Sequence, residues 1–300
     1  MLVHPLYAHV RAARLLVAPL LSLAVMAVMP QLAAATTPLA PGSEGATPRD
    51  LSLARAIGIE SARGGNPIGF DISYPQCGGP FPSQAALAIV GVNHGLVFRA
   101  NPCLGAGEGP SELAWAGMHA QFYANTGNPG PDLSSHWPDG QTSPRECNTA
   151  SSPGSDTVDC AYDYGWNAAA DSYVSAVRAY VSLGWADADA ERTPVANQWW
   201  LDVETGNSWR ADAALNVASL QGSVDYLEYV GVVGVGFYST GLQWGQVTGG
   251  SSAFSEYRSW VAGARSLHGA KDRCVGSGFT GGGVTMSQYI AHGFDANYLC

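Results

Sequence analysis

The sequence predicts an α/β fold, a single domain built as a parallel barrel, and three observations carry that prediction. Short apolar strands alternate with helical stripes, a strand–helix–strand rhythm that calls for parallel pairing with crossover helices. The stretch from residue 66 to the C-terminus, about 235 residues, has the size of a (β/α) barrel. Hydrophobic residues make up 46% of the chain and charged ones 13%, enough apolar side chain for a large core and too much for a disordered chain.

Taken in order, residues 1–35 read as a secretory signal peptide. Arg11 and Arg14 precede the apolar run Leu15 to Met29, and Ala33-Ala34-Ala35 offers a small-residue cleavage site. The run is shorter than the ~20 residues a membrane span needs, and it contains Pro19. Residues 36–65, rich in Thr, Pro, Ala, Gly and Ser, form a flexible tether with a short helix expected near Leu51 to Ile59. The barrel domain, 66–300, opens with a strand over Pro67 to Ser73, followed by strands at Ala88 to Asn93 and Ala120 to Thr126. From Gly127 to Tyr164 the composition turns to Pro, Gly, Ser and Asp with two cysteines, and this segment reads as a structureless insertion held by a disulfide. A helix is predicted from Trp166, Ala170, Tyr173, Val177 and Tyr180, spaced on one stripe. Next comes the strand that carries Asp202 and Glu204. Ala213, Val217, Leu220, Val224 and Leu227 repeat the helical spacing, and Val232 to Ser239 is the strand after it. Arg258 to Gly263 and Val284 to Ile290 complete the strands, with few helices between them. No internal repeat is present.

The formal charge of −10 becomes −12 once Arg11 and Arg14 leave with the signal peptide, so nucleic acid is not an expected partner. No later stretch is long enough to cross a bilayer, and the mature chain is expected to be a secreted monomer, extracellular or cell-wall associated, with no membrane contact. In an oxidising compartment Cys77, Cys103, Cys147, Cys160, Cys274 and Cys300 should pair. Of the 15 connectivities that six cysteines allow, the nearest-neighbour set closes three local loops and is the expected one. None of them has metal-site spacing, and neither a metal nor a cofactor is expected.

The chemistry concentrates in Trp199-Trp200-Leu201-Asp202-Val203-Glu204. Side chains alternate faces along a strand, so Asp202 and Glu204 share one face while Leu201 and Val203 take the other. Two carboxylates among aromatics lie in a cleft more naturally than on a solvated face, and their proximity pushes one pKa up. Glycosidic hydrolysis uses such a pair: a protonated acid at the leaving oxygen and an ionised group under the sugar ring. Asn93 and His94 end the second strand and could face the cleft, while Trp137, Trp209 and Trp244 could stack on sugar rings or serve the core.

These motifs, in order, resemble the glycoside hydrolase family 25 (Chalaropsis-type) lysozymes. Gly69-Phe70-Asp71-Ile72-Ser73 with Gln76 is similar to the family's first strand and Leu201-Asp202-Val203-Glu204 to its central Asp-x-Glu strand. Gly236-Phe237-Tyr238-Ser239-Thr240, Trp260-Val261-Ala262, and Ser287-Gln288-Tyr289 with Phe294-Asp295-Ala296-Asn297 are similar to the strands that follow. The resemblance implies an irregular TIM-like (β/α)5β3 barrel that cleaves the β-1,4 bond between N-acetylmuramic acid and N-acetylglucosamine in peptidoglycan. It implies Glu204 as general acid and Asp202 as the ionised stabiliser, with Asp71 and Asp295 flanking them. Tyr238, Gln288, Asn93 and Trp209 are the candidates for sugar contacts.

Two other readings stand beside it: a non-catalytic glycan or wall-binding module on the same barrel, and a chitinase-like hydrolase. For the latter, Asn197 and Trp200 occupy the places of two earlier aspartates in the Asp-x-x-Asp-x-Asp-x-Glu pattern. Gly276 to Gly281 matches a dinucleotide fingerprint in form only, since glycine and a strand follow where a helix is required. His-Glu-x-x-His and Gly-x-Ser-x-Gly are absent, which leaves zinc protease and serine hydrolase readings without support.

Overall fold

The computed structural model describes residues 67–83, 86–107, 109–147 and 155–300. The expected signal peptide, the tether and its short helix lie outside the described residues. Eight strands close into a barrel in chain order: β1 Ile68–Ile72, β2 Ala88–Gly91, β3 Gln121–Asn125, β4 Gln198–Asp202, β5 Gly234–Ser239, β6 Arg258–Ala264, β7 Val284–Ala291 and β8 Phe294–Leu299. From β1 to β7 neighbours run parallel, and β8 is antiparallel to both β7 and β1. The expected irregular (β/α) barrel is therefore present.

Among the described residues six helices lie in the connections: α1 Glu112–Ala116, α2 Val158–Ser182, α3 Asp187–Val195, α4 Ala213–Tyr229, α5 Gly241–Thr248 and α6 Leu267–Asp272. After β1 the described residues hold a 3-10 turn, Tyr74–Gln76, and β7 meets β8 in a tight hairpin. Of these, α2 and α4 correspond to the two stripes seen in the sequence. The helix α2 starts earlier than its stripe, because the Thr157 hydroxyl accepts from the Cys160 N–H and Asp159 sits in the positive first turn. The end of the supposed structureless insertion is thus helix.

Of the stripe on α2, Tyr180 is buried in the main core and Tyr173 and Val177 pack against it, but small residues make up much of the inner face. Ala168, Ala169, Ser172, Ala176 and Ala179 are buried, whereas Trp166, Tyr173 and Val177 are only partly so. Small residues win here because α2 and α4 approach backbone to backbone. A Cβ on Gly165 would lie 1.7 Å from the Ser219 carbonyl oxygen, and one on Gly222 would lie 2.0 Å from that of Tyr162.

Strand alternation sorts side chains into two cores. Val90, Phe122, Trp199, Leu201, Val203 and Phe237 face outward and pack with Tyr180, Leu220, Val224 and Leu227 of the helices. Leu87, Ile89, Trp200, Trp260 and Met286 fill the barrel interior below Tyr123 and Tyr238. A one-residue slip of β4 would exchange Trp199 and Leu201 for Trp200 and Asp202 on the helix side. At about 1.5–3 kcal/mol for each large apolar side chain buried, the register is strongly fixed.

A third cluster roofs part of the barrel. Trp137, Cys147, Cys160, Tyr164, Leu215 and Ala218 pack with Val97 and Phe98, so the described part of the insertion is a packed structure seated on α2 and α4. Trp137 is buried and its indole N–H donates to the Ser155 carbonyl. Trp244 is buried in α5 against Phe237 and Phe254. Both tryptophans are core residues rather than sugar platforms. No helix among the described residues is long and apolar enough to cross a membrane.

The three disulfides are Cys77–Cys103, Cys147–Cys160 and Cys274–Cys300, the nearest-neighbour set. Replacing Cys147 and Cys160 together by serine removes the staple between the insertion and α2. The expected loss is about 3 kcal/mol, or about 10 °C in the unfolding midpoint, measured by calorimetry. A midpoint within a degree of wild type would mean that the Trp137 cluster holds the insertion unaided.

Candidate active site

The carboxylates collect at the C-terminal end of the barrel, on and just beyond β1, β4 and β8. Asp202 is the last residue of β4 and is 4% exposed. Asn125, its register partner at the end of β3, donates from Nδ2 to Asp202 Oδ2 at 2.7 Å. Oδ1 of Asp202 is buried without a hydrogen-bond partner. Burial pushes the Asp202 carboxyl well above the usual carboxylate range, the charges of Glu204 and Asp71 push the same way, and the Asn125 bond opposes them. The sequence pointed to an ionised Asp202 kept low. In the structure burial instead disfavours the ionised form of Asp202.

Glu204 lies two residues beyond β4, half-buried, in a turn rather than on the strand. The turn is pinned on several sides. Val203 N–H donates to the Tyr238 carbonyl (2.9 Å), the Ser239 hydroxyl to the Val203 carbonyl (2.7 Å), and Thr205 N–H to Gln243 Oε1 (2.7 Å). The Trp209 indole N–H donates to the Glu204 carbonyl at 2.8 Å. Trp209 therefore braces the backbone that carries Glu204, with its ring packed on the main core.

Asp71 on β1 faces the barrel interior and is 8% exposed. Its Oδ1 accepts from Asn297 Nδ2 at 2.5 Å, and both its oxygens lie 3.2 Å from Gln288 Nε2. The chain of bonds continues at each end. Trp260 Nε1–H donates to Asn297 Oδ1 (2.7 Å), and the Tyr238 hydroxyl donates to Gln288 Oε1 (2.8 Å). Desolvation, then the nearby charge of Asp295, raises the Asp71 carboxyl to about 7 against the pull of the two amides. Asp295 on β8 stands directly across from Asp71 in the antiparallel ladder, is half-buried, and is itself raised by burial.

Tyr238 marks the centre. Its hydroxyl is raised by burial and by the charges of all four carboxylates, Asp202, Glu204, Asp71 and Asp295 in falling order. Glycines make room around it. A Cβ on Gly91 would lie 2.4 Å from the Ser73 hydroxyl and 2.6 Å from the Tyr123 ring, and one on Gly236 would lie 2.4 Å from the Trp200 ring.

Asp71, Asp202, Glu204, Asp295, Tyr238 and Gln288 are thus brought together. Asn93 stands behind them, 1% exposed, its amide committed to Ser172 and to the Asn125 backbone. It supports the site without lining it. The His94 ring stacks on Tyr74, centroids 4.1 Å apart. Asn125, Asn297 and Tyr123 were not singled out from the sequence. Period-two counting from Asp295 reaches Asn297, and Tyr123 and Asn125 share one face of β3. Among the described residues no group of three or more His, Cys, Asp or Glu could hold a metal ion.

The folded protein keeps the Asp71 proton to about pH 7, whereas an unfolded chain releases it near 3.8. This contribution to stability is full below 3.8 and is lost as pH rises through about 7. Asp71→Asn removes the buried charge, so its stability relative to wild type should climb between pH 4 and pH 8 by on the order of 3 kcal/mol. Denaturant unfolding across that range checks this, and a difference independent of pH would contradict the buried-charge assignment.

No family model matches the chain. Over 63 residues it is 36% identical to a protein of Dictyostelium discoideum named "Probable GH family 25 lysozyme 4", a stretch that covers 21% of this chain and 29% of that relative. Among solved structures, the muramidase from Trichobolus zukalii is similar at a TM-score of 0.42 and 15% identity, covering 78% of this chain and 94% of that one. The muramidase from Acremonium alcalophilum gives 0.44 and 16% with the same coverage. Neither of these two likenesses bears on the reading of the site. In its ordered motifs and in the stretch matched to the Dictyostelium protein, the chain is similar to the glycoside hydrolase family 25 lysozymes.

Proposed function

We propose that this protein is a secreted glycosidase of the muramidase type, hydrolysing the β-1,4 bond between N-acetylmuramic acid and N-acetylglucosamine in peptidoglycan. The observation that carries the proposal is the Asp202–Glu204 pair, a buried carboxyl with one free oxygen beside a half-exposed one, at the end of the barrel where active sites sit. The ordered family motifs and the partial likeness to a lysozyme support it further.

Glu204 is reachable from solvent, which suits the group that must meet the leaving oxygen. Asp202 is not. Two interacting carboxyls this close titrate as a unit, and over the working range the pair holds one proton. In the free protein burial disfavours the ion on Asp202 and so favours the proton there. A sugar covering Glu204 would remove its water and draw the proton across, leaving Asp202 ionised under the ring. Glu204 then gives the proton to the glycosidic oxygen as the bond from C1 breaks. The Asp202 carboxylate stabilises the oxocarbenium-like transition state or an ion formed by the substrate's own N-acetyl group. Water adding to C1 returns a proton to Glu204 and regenerates the pair. Tyr238 and Gln288, already paired with each other, offer hydroxyl and amide groups to the sugar, and Asp71 and Asp295 flank it.

Glu204→Gln keeps the shape of the side chain and removes the proton, so hydrolysis should fall about 10²- to 10⁴-fold while glycan binding persists. The measurement is the release of reducing ends from purified peptidoglycan, identified by mass spectrometry, in which muramic-acid ends mark the muramidase. Activity should peak on the acid side of neutrality, falling at high pH as the pair loses its proton and at low pH as it gains a second. A protein that sediments with the polymer but releases no ends at any pH would be a binding module, and chitin cleavage alone would make it a chitinase-like hydrolase.

A further inference from the structure

We propose that Asn125, braced by Asn93 and Ser172, is a positioning residue that holds the Asp202 carboxyl in one orientation beside Glu204. The inference rests on the glycosidase reading of the same carboxylates. Its basis is a hydrogen-bonded relay that begins on a helix and ends on Asp202. The Ser172 hydroxyl on α2 donates to the Ala168 carbonyl of the preceding turn (2.9 Å). Asn93 Nδ2 donates to that hydroxyl (3.2 Å), and Asn93 Oδ1 accepts the backbone N–H of Asn125 (2.9 Å). Asn125 Nδ2 then donates to Asp202 Oδ2 (2.7 Å).

The relay supplies the one side-chain hydrogen bond that Asp202 makes among the described residues, and Asn93 and Ser172 are each 1% exposed. A carboxyl with no such bond could turn about its last torsion and present either oxygen. With Oδ2 held, the carboxyl keeps one orientation, its Oδ1 on the buried side without a partner among the described residues. The Asn125 donor also favours the ionised form of Asp202. The other titratable groups acting on this carboxyl are Glu204 beyond β4 and Asp71 on β1, while Tyr238 on β5 and Tyr123 on β3 feel its charge in return. Both carboxylates oppose its ionisation, so the amide of Asn125 is the group that counters them.

The test uses the whole protein with ¹³C-labelled aspartate and follows the Asp202 carboxyl by NMR titration beside the pH dependence of kcat and KM. Asn125→Leu, similar in volume but with no donor, should move the Asp202 titration upward by about one pH unit. It should move the acid limb of the rate profile with it and lower kcat more than KM. Asn125→Ser keeps a donor and should recover part of both shifts, and it carries the measurement if the leucine variant does not fold. Asn93→Ala should act in the same direction but less strongly. A purely structural asparagine would lower stability and scale the rate profile without displacing it. That result, with Asp202 titrating as in wild type, overturns the proposal. If wild type hydrolyses no glycan while the Asp202 titration still moves in Asn125→Leu, the positioning role stands and the glycosidase reading fails.

Discussion

The structure depends on a closure that ends in a carboxylate. A parallel barrel of seven strands has two open edges, β1 and β7, and β8 fills the gap by running antiparallel to both. Inside the barrel that seam is stitched by Asp71, which takes Asn297 of β8 and Gln288 of β7 on one carboxyl group. Removing any of the three leaves a buried polar group without its partner. The amides of Asn297 and Gln288 extend the seam to Trp260 on β6 and Tyr238 on β5, so a single chain of bonds joins five strands just below the mouth. Antiparallel closure also sets Asp295 opposite Asp71, placing like charges in register, an arrangement that disfavours folding on its own account. The seam and the site are thus one structure, and the carboxyls that make the chemistry available are held by the bonds that complete the sheet.

Below that level the barrel is solid. Trp200 and Trp260 meet edge to face at 5.9 Å, and Tyr238 and Tyr123 lie on Trp260. Rings this large fit only where neighbours on the same layer have no side chain, which is the use of Gly236 and Gly91. The packed interior raises the carboxyls beside it, since burial is the largest cause of the shift at both Asp71 and Asp202. Packing therefore sets the electrostatics here. A looser floor that admitted water would return both groups toward ordinary carboxylate behaviour.

Much of this was legible from residue spacing because strands impose period two on whatever they carry. Leu201 and Val203 fall on the helix side and Asp202 on the interior, as alternation requires, and all of the eight strands but β8 announce themselves as apolar runs. Helices were read less well where close approach replaced hydrophobicity. Much of the inner face of α2 is alanine, glycine and serine, so a search for large apolar residues finds Tyr180 there and otherwise picks out its flank. The short helices α1, α3, α5 and α6 have too few turns for a stripe. In the site, acids are conspicuous among apolar neighbours, while the amides that orient them look like any strand residue. Asn125 and Asn297 become recognisable only when the register is known. The raised Asp202 carboxyl went unread for the same reason, since its burial is set by the packing of the barrel around the end of β4.

The helix α2 connects these levels. Its N-terminal turns carry Cys160, Tyr162 and Tyr164, which hold the insertion, and its middle carries Gly165, which lets α4 approach. About two turns further on, Ser172 reaches through Asn93 to the end of β3. An element that clamps the roofing segment on one side and steadies the Asp202 contact on the other cannot shift without disturbing both. The packed Trp137 cluster therefore bears on the site indirectly, by fixing where α2 lies, and a rigid insertion is what such an arrangement requires. A loose segment in that position would transmit its motion to Asn93 and blur the geometry around Asp202, whereas a stapled one with its own buried tryptophan gives the relay a fixed anchor.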